Sequence, residues 1–431
     1  MKLRRVLFSA VVLAIFVLLI AVFDRPARQE IPVEAEAVED VQQVEAPQPA
    51  EPVVKETAVS MGAVGDLLLH DDVILGGKTE DGYDFSNIFT WFAPHISALD
   101  YAAADMEGTL CSDDYGYPYA GYPCFNAPDE IVQAAGEAGF DLMLTANNHA
   151  YDTGPFGFNR TQEVIAAAGL AHIGTRQNAD TPRWIVRDVG GIKVGMTCYT
   201  YSTGYSSAGT FSLNGAALDA DSSSRVNAFT YDDLPSFYAR LTDDLEAMQE
   251  EGAEASVVYM HWGDEYQTAQ NAVQEEIAQK LCDLGVDVIV GNHPHVVQPV
   301  VCLQSGDQVT LCIYSTGNSV SNFFETEAFP PHTEDGVLFS WSFARYSDGT
   351  VLLEHADVLP TWVWRYTEDG VPKHRIVPLT DELGALGLDA DATALCHASR
   401  ARTEEIVADG LAAANELLAA RQQVFEMEIK D

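Results

Sequence analysis

Basic residues are scarce in this sequence. The 431-residue chain carries 23 Lys and Arg against 65 Asp and Glu, a formal charge of −42. A protein that grips nucleic acid needs a basic footprint to displace counterions from the phosphates, so that class of partner is excluded. Any other polyanion would have to approach through bound cations, a local basic pocket or salt screening, with a Debye length of about 8 Å at physiological ionic strength. The seven cysteines include no C-x-x-C pair, which argues against a zinc ribbon or a thioredoxin-type redox site. An odd count leaves at least one thiol unpaired. Cys111 with Cys124, and Cys302 with Cys312, flank turn-rich loops and are the candidate disulfides. Cys198, Cys282 and Cys396 read equally well as buried free thiols. No solenoid-period repeat is present.

The amino terminus is the one place with a long apolar run. Lys2, Arg4 and Arg5 precede residues 6–23, which carry no charge. At about 1.5 Å per residue such a run nearly spans a hydrocarbon core of about 30 Å. Positive charge before it predicts a cytoplasmic terminus at 1–5 and an exported remainder, in a single-pass cell-membrane protein. No small-x-small cleavage site follows and no cysteine stands there for a lipid, so an uncleaved anchor is favoured over a signal peptide. Residues 24–57 are rich in Pro and Glu and contain no aromatic residue, a composition that reads as a disordered tether.

Beyond the tether, one pattern recurs: a short apolar strand that ends in a polar cluster. Val286-Asp287-Val288-Ile289-Val290 closes on Gly291-Asn292-His293-Pro294-His295. Two imidazoles at i and i+2, stiffened by the intervening proline, can converge on one metal ion. Similar runs end at Asp66, at Asp105-Met106-Glu107, at Asn147-Asn148-His149 and at His261-Trp262-Gly263-Asp264-Glu265. Each cluster alone has an ordinary explanation as a cap or a turn. Together they deliver Asp, Glu, Asn and His to the carboxyl ends of strands, where open α/β folds gather functional groups. A mixed oxygen and nitrogen set suits hard-to-borderline divalent cations.

In order along the chain, G-D at Asp66, A-D-M-E-G around Glu107, A-N-N-H-A-Y-D-T-G over 146–154, H-W-G-D-E-Y over 261–266, G-N-H-P-H-V-V-Q over 291–298 and Y-S-T-G-N over 314–318 resemble the poly-γ-glutamate capsule-synthesis (CapA-type) family. The resemblance implies a calcineurin-like metallophosphatase fold, a four-layer α/β/β/α sandwich, with two divalent metal ions (Mn, Fe, Zn or Mg) between the sheet ends. It implies Asp66, Glu107, Asn148, His261, His293 and His295 as ligands. His149 would act on a leaving oxygen, oriented by Asp152. Asn318 matches a family loop position. The sequence departs from phosphatases in three places. Leu68 stands two residues after Asp66, where they carry histidine, so either His70 substitutes or one cation has fewer protein ligands. Glu107 stands where they carry aspartate, and Asp105 where many capsule-type members carry asparagine. Two functions follow from the resemblance: a metal-dependent phosphoester hydrolase of capsule synthesis or export, or a surface scaffold that holds an anionic polymer such as poly-γ-glutamate through its metals.

The expected folded domain spans 58–380, with a helical extension over 381–431 that has no proline between 380 and 424. Helical patterns fit 129–138, 157–168, 233–250 and 272–284, and Gly190-Gly191 marks a hairpin. The Ser-, Gly- and Tyr-rich stretch over 202–230 reads either as a lid or substrate wall or as a disordered surface loop. Trp341, Trp362 and Trp364 are expected in the core or at its rim.

Overall fold

The structure, a computed structural model, describes residues 52–428. The expected anchor over 6–23 and most of the expected tether over 24–57 lie outside the described residues. Among the described residues no helix is long and apolar enough to cross a membrane. The first strand, β1 (Lys55–Leu67), begins inside the stretch read as tether. Thr57, Val59 and Met61 already alternate inward there, opposite exposed Glu56 and Ala58, and that alternation lets the chain pair with its neighbour.

After β1 the chain alternates helix and strand: α1 (Asp71–Gly77), β2 (Tyr101–Met106), α2 (Glu130–Ala138), β3 (Leu142–Leu144), α3 (Gly154–Ala167) and β4 (Ala171–Ile173). Helical crossovers return each strand in the same direction, so β1 to β4 lie parallel. The hairpin β5 (Trp184–Val189) and β6 (Ile192–Tyr201) turns at Gly190-Gly191 as expected, with Val189 opposite Ile192. Next come β7 (Ser212–Leu213), β8 (Ala216–Ala217), β9 (Ala228–Phe229), α4 (Leu234–Glu250), β10 (Ala255–His261), α5 (Ala272–Asp283) and β11 (Val288–Asn292). The chain continues through β12 (Val300–Ser305), β13 (Gln308–Ile313), β14 (Asn318–Val320), β15 (Asp335–Tyr346), β16 (Val351–Glu368), β17 (Val371–Pro378) and α6 (Ala390–Glu428).

The strands form two main sheets. One runs β17-β16-β15-β1-β2-β3-β4, with β14 also paired to β1; the other runs β12-β13-β11-β10-β6-β5, with β9 paired to β6. Their inner faces share one apolar core, in which Met61, Ala63 and Phe339 of the first sheet meet Val194, Val257 and Val290 of the second. Outside the first sheet, Ile131 and Val132 of α2 and Ile165 of α3 pack on Ala102, Ala104 and Met143. Outside the second, Phe237 and Leu241 of α4 and Ile277 and Leu281 of α5 pack on Val258, Met260 and Ile289. Helices thus cover both outer faces, and the central strands are buried on both sides, as the near-continuous Val and Ile of β10 and β11 require.

The expected terminal helices are a single one, α6, which packs against β16 and β12. A Cβ on its Gly410 would lie 1.9 Å from the Val300 carbonyl oxygen, so the helix rides directly on β12. Asn415 accepts from the Ala356 N–H at 3.0 Å and donates to its carbonyl at 2.8 Å. Arg402 grips Asp335 with two hydrogen bonds, of 2.9 and 2.7 Å. Trp341 and Trp362 are core residues; Trp364 is half-buried and stacks on Trp91 and Tyr366.

Neither candidate disulfide forms. In the β12–β13 ladder Cys312 faces Val301, while Cys302 faces Leu311. Pleating therefore sends Cys302 toward the core between the sheets and Cys312 to the opposite face. Cys111 is buried and Cys124 exposed, each a free thiol. The 202–230 stretch is ordered rather than a disordered loop. Asp219 caps the short helix Ala220–Arg225, accepting from the Asp221 and Ser222 N–H groups. Leu213, Leu218 and Val226 pack on Ala150 and Phe158.

Candidate metal centre

Close backbone contacts deliver the polar residues. A Cβ on Gly65 would lie 1.8 Å from the Gly317 oxygen, so β1 and the approach to β14 touch where only glycine fits. The next residue, Asp66, pairs in register with Asn318 on one side and Asp105 on the other. Asp105 is in β2 and Glu107 just beyond its end, one strand period apart. From the second sheet, β10 ends at His261 and β11 at Asn292. Gly291 allows β11 to pass the Tyr314 carbonyl, where a Cβ would lie 1.9 Å from the oxygen. His293 and His295 then take positive φ values of 97° and 57°, a conformation costing of order 1–3 kcal/mol at each non-glycine residue. That strain turns both rings inward.

The ligand atoms of Glu107, His293 and His295 lie within 4.8 Å of one another, as do those of Asp66, Asp105 and His261; all six residues are buried. The two groups adjoin. His295 Nδ1 is 3.0 Å from Asp66 Oδ2, and His261 Nε2 is 3.7 Å from Glu107 Oε1. Asn148 Oδ1 lies 2.6 Å from His261 Nε2. His149 Nδ1 lies 2.7 Å from Asp152 Oδ2, which also accepts the Phe125 N–H at 2.7 Å. Every ligand expected from the sequence is therefore brought to one place, with His149 and Asp152 beside it.

The donor set fits divalent cations. Both oxygens of Asp66, both of Glu107 and Nδ1 of His293 are buried without a hydrogen-bond partner. His295 is close to Asp66, but its N–H is aimed at Asn318 Oδ1, 3.0 Å away. Orphaned buried carboxylates cost several kcal/mol unless something positive faces them. Burial pushes the Glu107 carboxyl well up, with the Asp66 and Asp105 carboxylates adding to the effect. Burial raises Asp105 to about 7. Two of the imidazoles supply no compensating charge, since burial lowers His261 to about 3 and drives His293 well down; His295 alone is raised, because the Asp66 carboxylate 3.0 Å away outweighs its burial. Neutral imidazole with the lone pair free is the form that binds a metal. Glu107, His293 and His295 would hold one cation; Asp66 and His261 Nε2, with Asn148, would hold a second, and Asp105 stands behind the His261 ring at Nδ1.

His70 does not join either group. Its Nδ1 accepts the Asn322 N–H at 3.2 Å, its ring lies against Phe125 and Phe323, and burial, with His295 adding, lowers it to about 4. It lines a cavity of about 880 Å³ that opens beside the centre and reaches His149, Glu265 and Tyr266.

Sequence reasoning did not assign roles to Asp105 and Asn214. Asp105 accepts from Asn147 Nδ2 at 3.0 Å and faces His261 Nδ1 at 2.9 Å. Its spacing of two from Glu107 on one strand was the available signal. Asn214 touches Asn148 and His149. Its Asn-Gly pair is a stronger hairpin signal than the Gly-Gly pair at 190–191.

The family described as bacterial capsule synthesis protein PGA_cap matches residues 60–323. A capsule biosynthesis protein CapA of Bacillus anthracis is 28% identical over 328 residues, covering 75% of this chain and 70% of that protein. A PGA biosynthesis protein CapA of Bacillus subtilis strain 168 is 26% identical over 303 residues, covering 70% and 72%. Among solved structures, a putative 5'-nucleotidase from Staphylococcus aureus aligns at a TM-score of 0.43 and 13% identity, over 80% of this chain and 58% of that one. A calcineurin-like phosphoesterase, YfkN from Bacillus subtilis, aligns at 0.37 and 14% identity, over 87% and 99%.

Proposed function

Because this chain belongs to the bacterial capsule synthesis protein family, we propose that it is a membrane-anchored, extracytoplasmic component of poly-γ-glutamate synthesis or export with a dinuclear phosphoester-hydrolysing centre. One observation carries the chemistry: the carboxylates of Asp66 and Glu107 are buried without hydrogen-bond partners, beside the His261 and His293 rings that burial keeps neutral. Two divalent ions there (Mn, Fe, Zn or Mg) would supply Lewis acidity toward a phosphoryl group and offset its developing charge. The chain's own residues do the rest. Asp105 and Asn318 orient the His261 and His295 rings. His149, fixed by Asp152 at Nδ1, reaches the cavity and, with Nε2 also protonated, stands where it can hand a proton to a leaving oxygen. The basic residues before the apolar run at 6–23 support the anchor and its orientation.

The test is turnover by the full-length chain with Mn²⁺ on a panel of phosphomonoesters and phosphodiesters, beside a His149→Gln variant. Hydrolysis that drops about 10²-fold or more in the variant supports the reading. Metal binding with no turnover of any ester sinks the hydrolase.

A second reading, a scaffold that grips an anionic polymer, has one observation in its favour. The cavity wall contains neither Lys nor Arg, so a polymer carboxylate would depend on the bound cations for attraction. Loss of polymer assembly in His293→Ala and His295→Ala, with no hydrolysis in the parent, would select it.

A further inference from the structure

The stretch over 202–230 brings a side chain to the centre. Its β7–β8 hairpin turns through Asn214-Gly215, with φ values of 47° and 78°. A two-residue turn with both φ positive matches the twist of paired strands, and Asn tolerates that conformation. Asn214 Oδ1 accepts from Asn148 Nδ2 at 3.1 Å. Its Nδ2 lies 3.3 Å from each ring nitrogen of His149.

The direction of these bonds follows from one acceptor. A carboxylate only accepts, so His149 Nδ1 carries the proton it shows to Asp152 and leaves its lone pair on Nε2. The Asn214 amide group, equidistant from the two ring nitrogens, lies over the His149 ring face, where an N–H is favoured over an oxygen, and this leaves the Asn214 oxygen for Asn148. Asn148 therefore donates to Asn214 and turns its own oxygen toward His261 Nε2. With Asp105 ionised, as beside a bound cation, that nitrogen also carries a lone pair, because His261 Nδ1–H then faces Asp105 Oδ2. Two lone-pair atoms thus meet at 2.6 Å, an arrangement that a shared cation reconciles. Freed from Asn214, the Asn148 amide would relax by turning over and donating to His261, which would consume both ligand atoms.

We propose that Asn214 is a positioning residue: it covers the face of the His149 ring and holds the Asn148 oxygen toward the centre. The inserted hairpin is thereby part of the metal site rather than a wall beside it. This rests on reading the centre as a divalent-cation site.

The experiment uses the full-length chain and Asn214→Gly, which keeps the positive-φ turn and removes the amide. Mn²⁺ affinity is measured by calorimetry, and the histidine ring nitrogens are followed by ¹⁵N NMR in metal-free protein. The expected result is Mn²⁺ binding weakened about 10- to 100-fold, the usual range for loss of a group that orients a ligand. In the metal-free spectrum His261 Nε2 should move toward a bonded lone pair. Asn214→Asp keeps the acceptor for Asn148, so it should leave the His261 signal where it is in the parent. Affinity within about twofold of the parent, with the His261 signal undisplaced in Asn214→Gly, overturns the proposal. His261→Ala, which removes a ligand of the cation that Asn148 would share, separates the two levels. If it lowers the Mn²⁺ bound while Asn214→Gly leaves affinity unchanged, only the Asn214 role fails; if it leaves binding intact, the cation reading fails and the proposal with it.

Discussion

His261 Nδ1 lies 2.9 Å from Asp105 Oδ2, a buried contact that joins the two sheets and residues 156 positions apart in the chain. Asp105 is also held by Asn147 Nδ2 at 3.0 Å, so both its oxygens serve as acceptors. Asp105→Asn puts an amide NH₂ against one of these donors and removes one carboxylate from the centre. The expected outcome is a folded protein whose Mn²⁺ affinity, by calorimetry, is about 10- to 100-fold weaker. An unchanged affinity would reduce Asp105 to a structural tie.

Chelation should destabilise the protein. A cation that binds only the native state adds about 2.7 kcal/mol at a concentration 100 times its Kd. The melting temperature should therefore fall with EDTA and recover with Mn²⁺. The chelated form should also weaken as pH rises. Asp105, held at about 7 by burial, and Glu107, raised by burial and its acidic neighbours, bind protons more tightly folded than unfolded. Their contribution is complete below about pH 4, the unfolded value, and for Asp105 is lost as pH climbs through about 7. Scanning calorimetry from pH 6.5 to 8, above the window in which the buried neutral histidines gain stability, checks this with and without Mn²⁺; a metal-free profile that rises there contradicts it.

His374 predicts the opposite slope. Its Nε2–H donates to Asn322 Oδ1 at 2.9 Å, and its buried Nδ1 has no partner. Burial, with Arg365 and His70 nearby, lowers it to about 3. The ring is thus kept neutral when folded, so its contribution is intact above the unfolded value of about 6.5 and is lost as pH falls toward 3. His374→Gln keeps a donor for Asn322 and removes the titration. The variant's melting temperature should drop less than the parent's between pH 6.5 and 4, and parallel curves would contradict the assignment.

Gly410→Ala sets helix propensity against packing. Within an exposed helix the change gains about 1 kcal/mol, but here the new methyl would meet the Val300 carbonyl. Crowding of this kind typically costs about 1–3 kcal/mol. The variant should melt lower than the parent; a higher melting temperature would mean that α6 does not ride on β12 as described.

Much of the centre was legible in the sequence because its signals are short-ranged. A Val and Ile run closing on glycine and two histidines is local, and so is the Asn-Asn-His cluster after β3. The four expected helices lie within a few residues of their observed ends for the same reason. What stayed hidden depends on strand parity or on distant partners. Cys302 and Cys312 sit near a tight turn, yet pleating points them to opposite faces. Asp105 gains its role from the His261 ring on the other sheet. His70 is near Asp66 in sequence, but Asn322 and the rings of Phe125 and Phe323 hold it in the cavity wall. Asn214 is brought to the centre by an insertion whose path only packing reveals.

The closing helix has a consequence for how this fold is assembled. Val407, Ala414 and Leu418 of α6 enter the same core as both sheets. Until α6 docks, β16 and β12 lack that cover, so the interior is completed by a segment distant in sequence from β1. Loss of α6 would lay open the interior that carries both sheets, without touching a single candidate ligand.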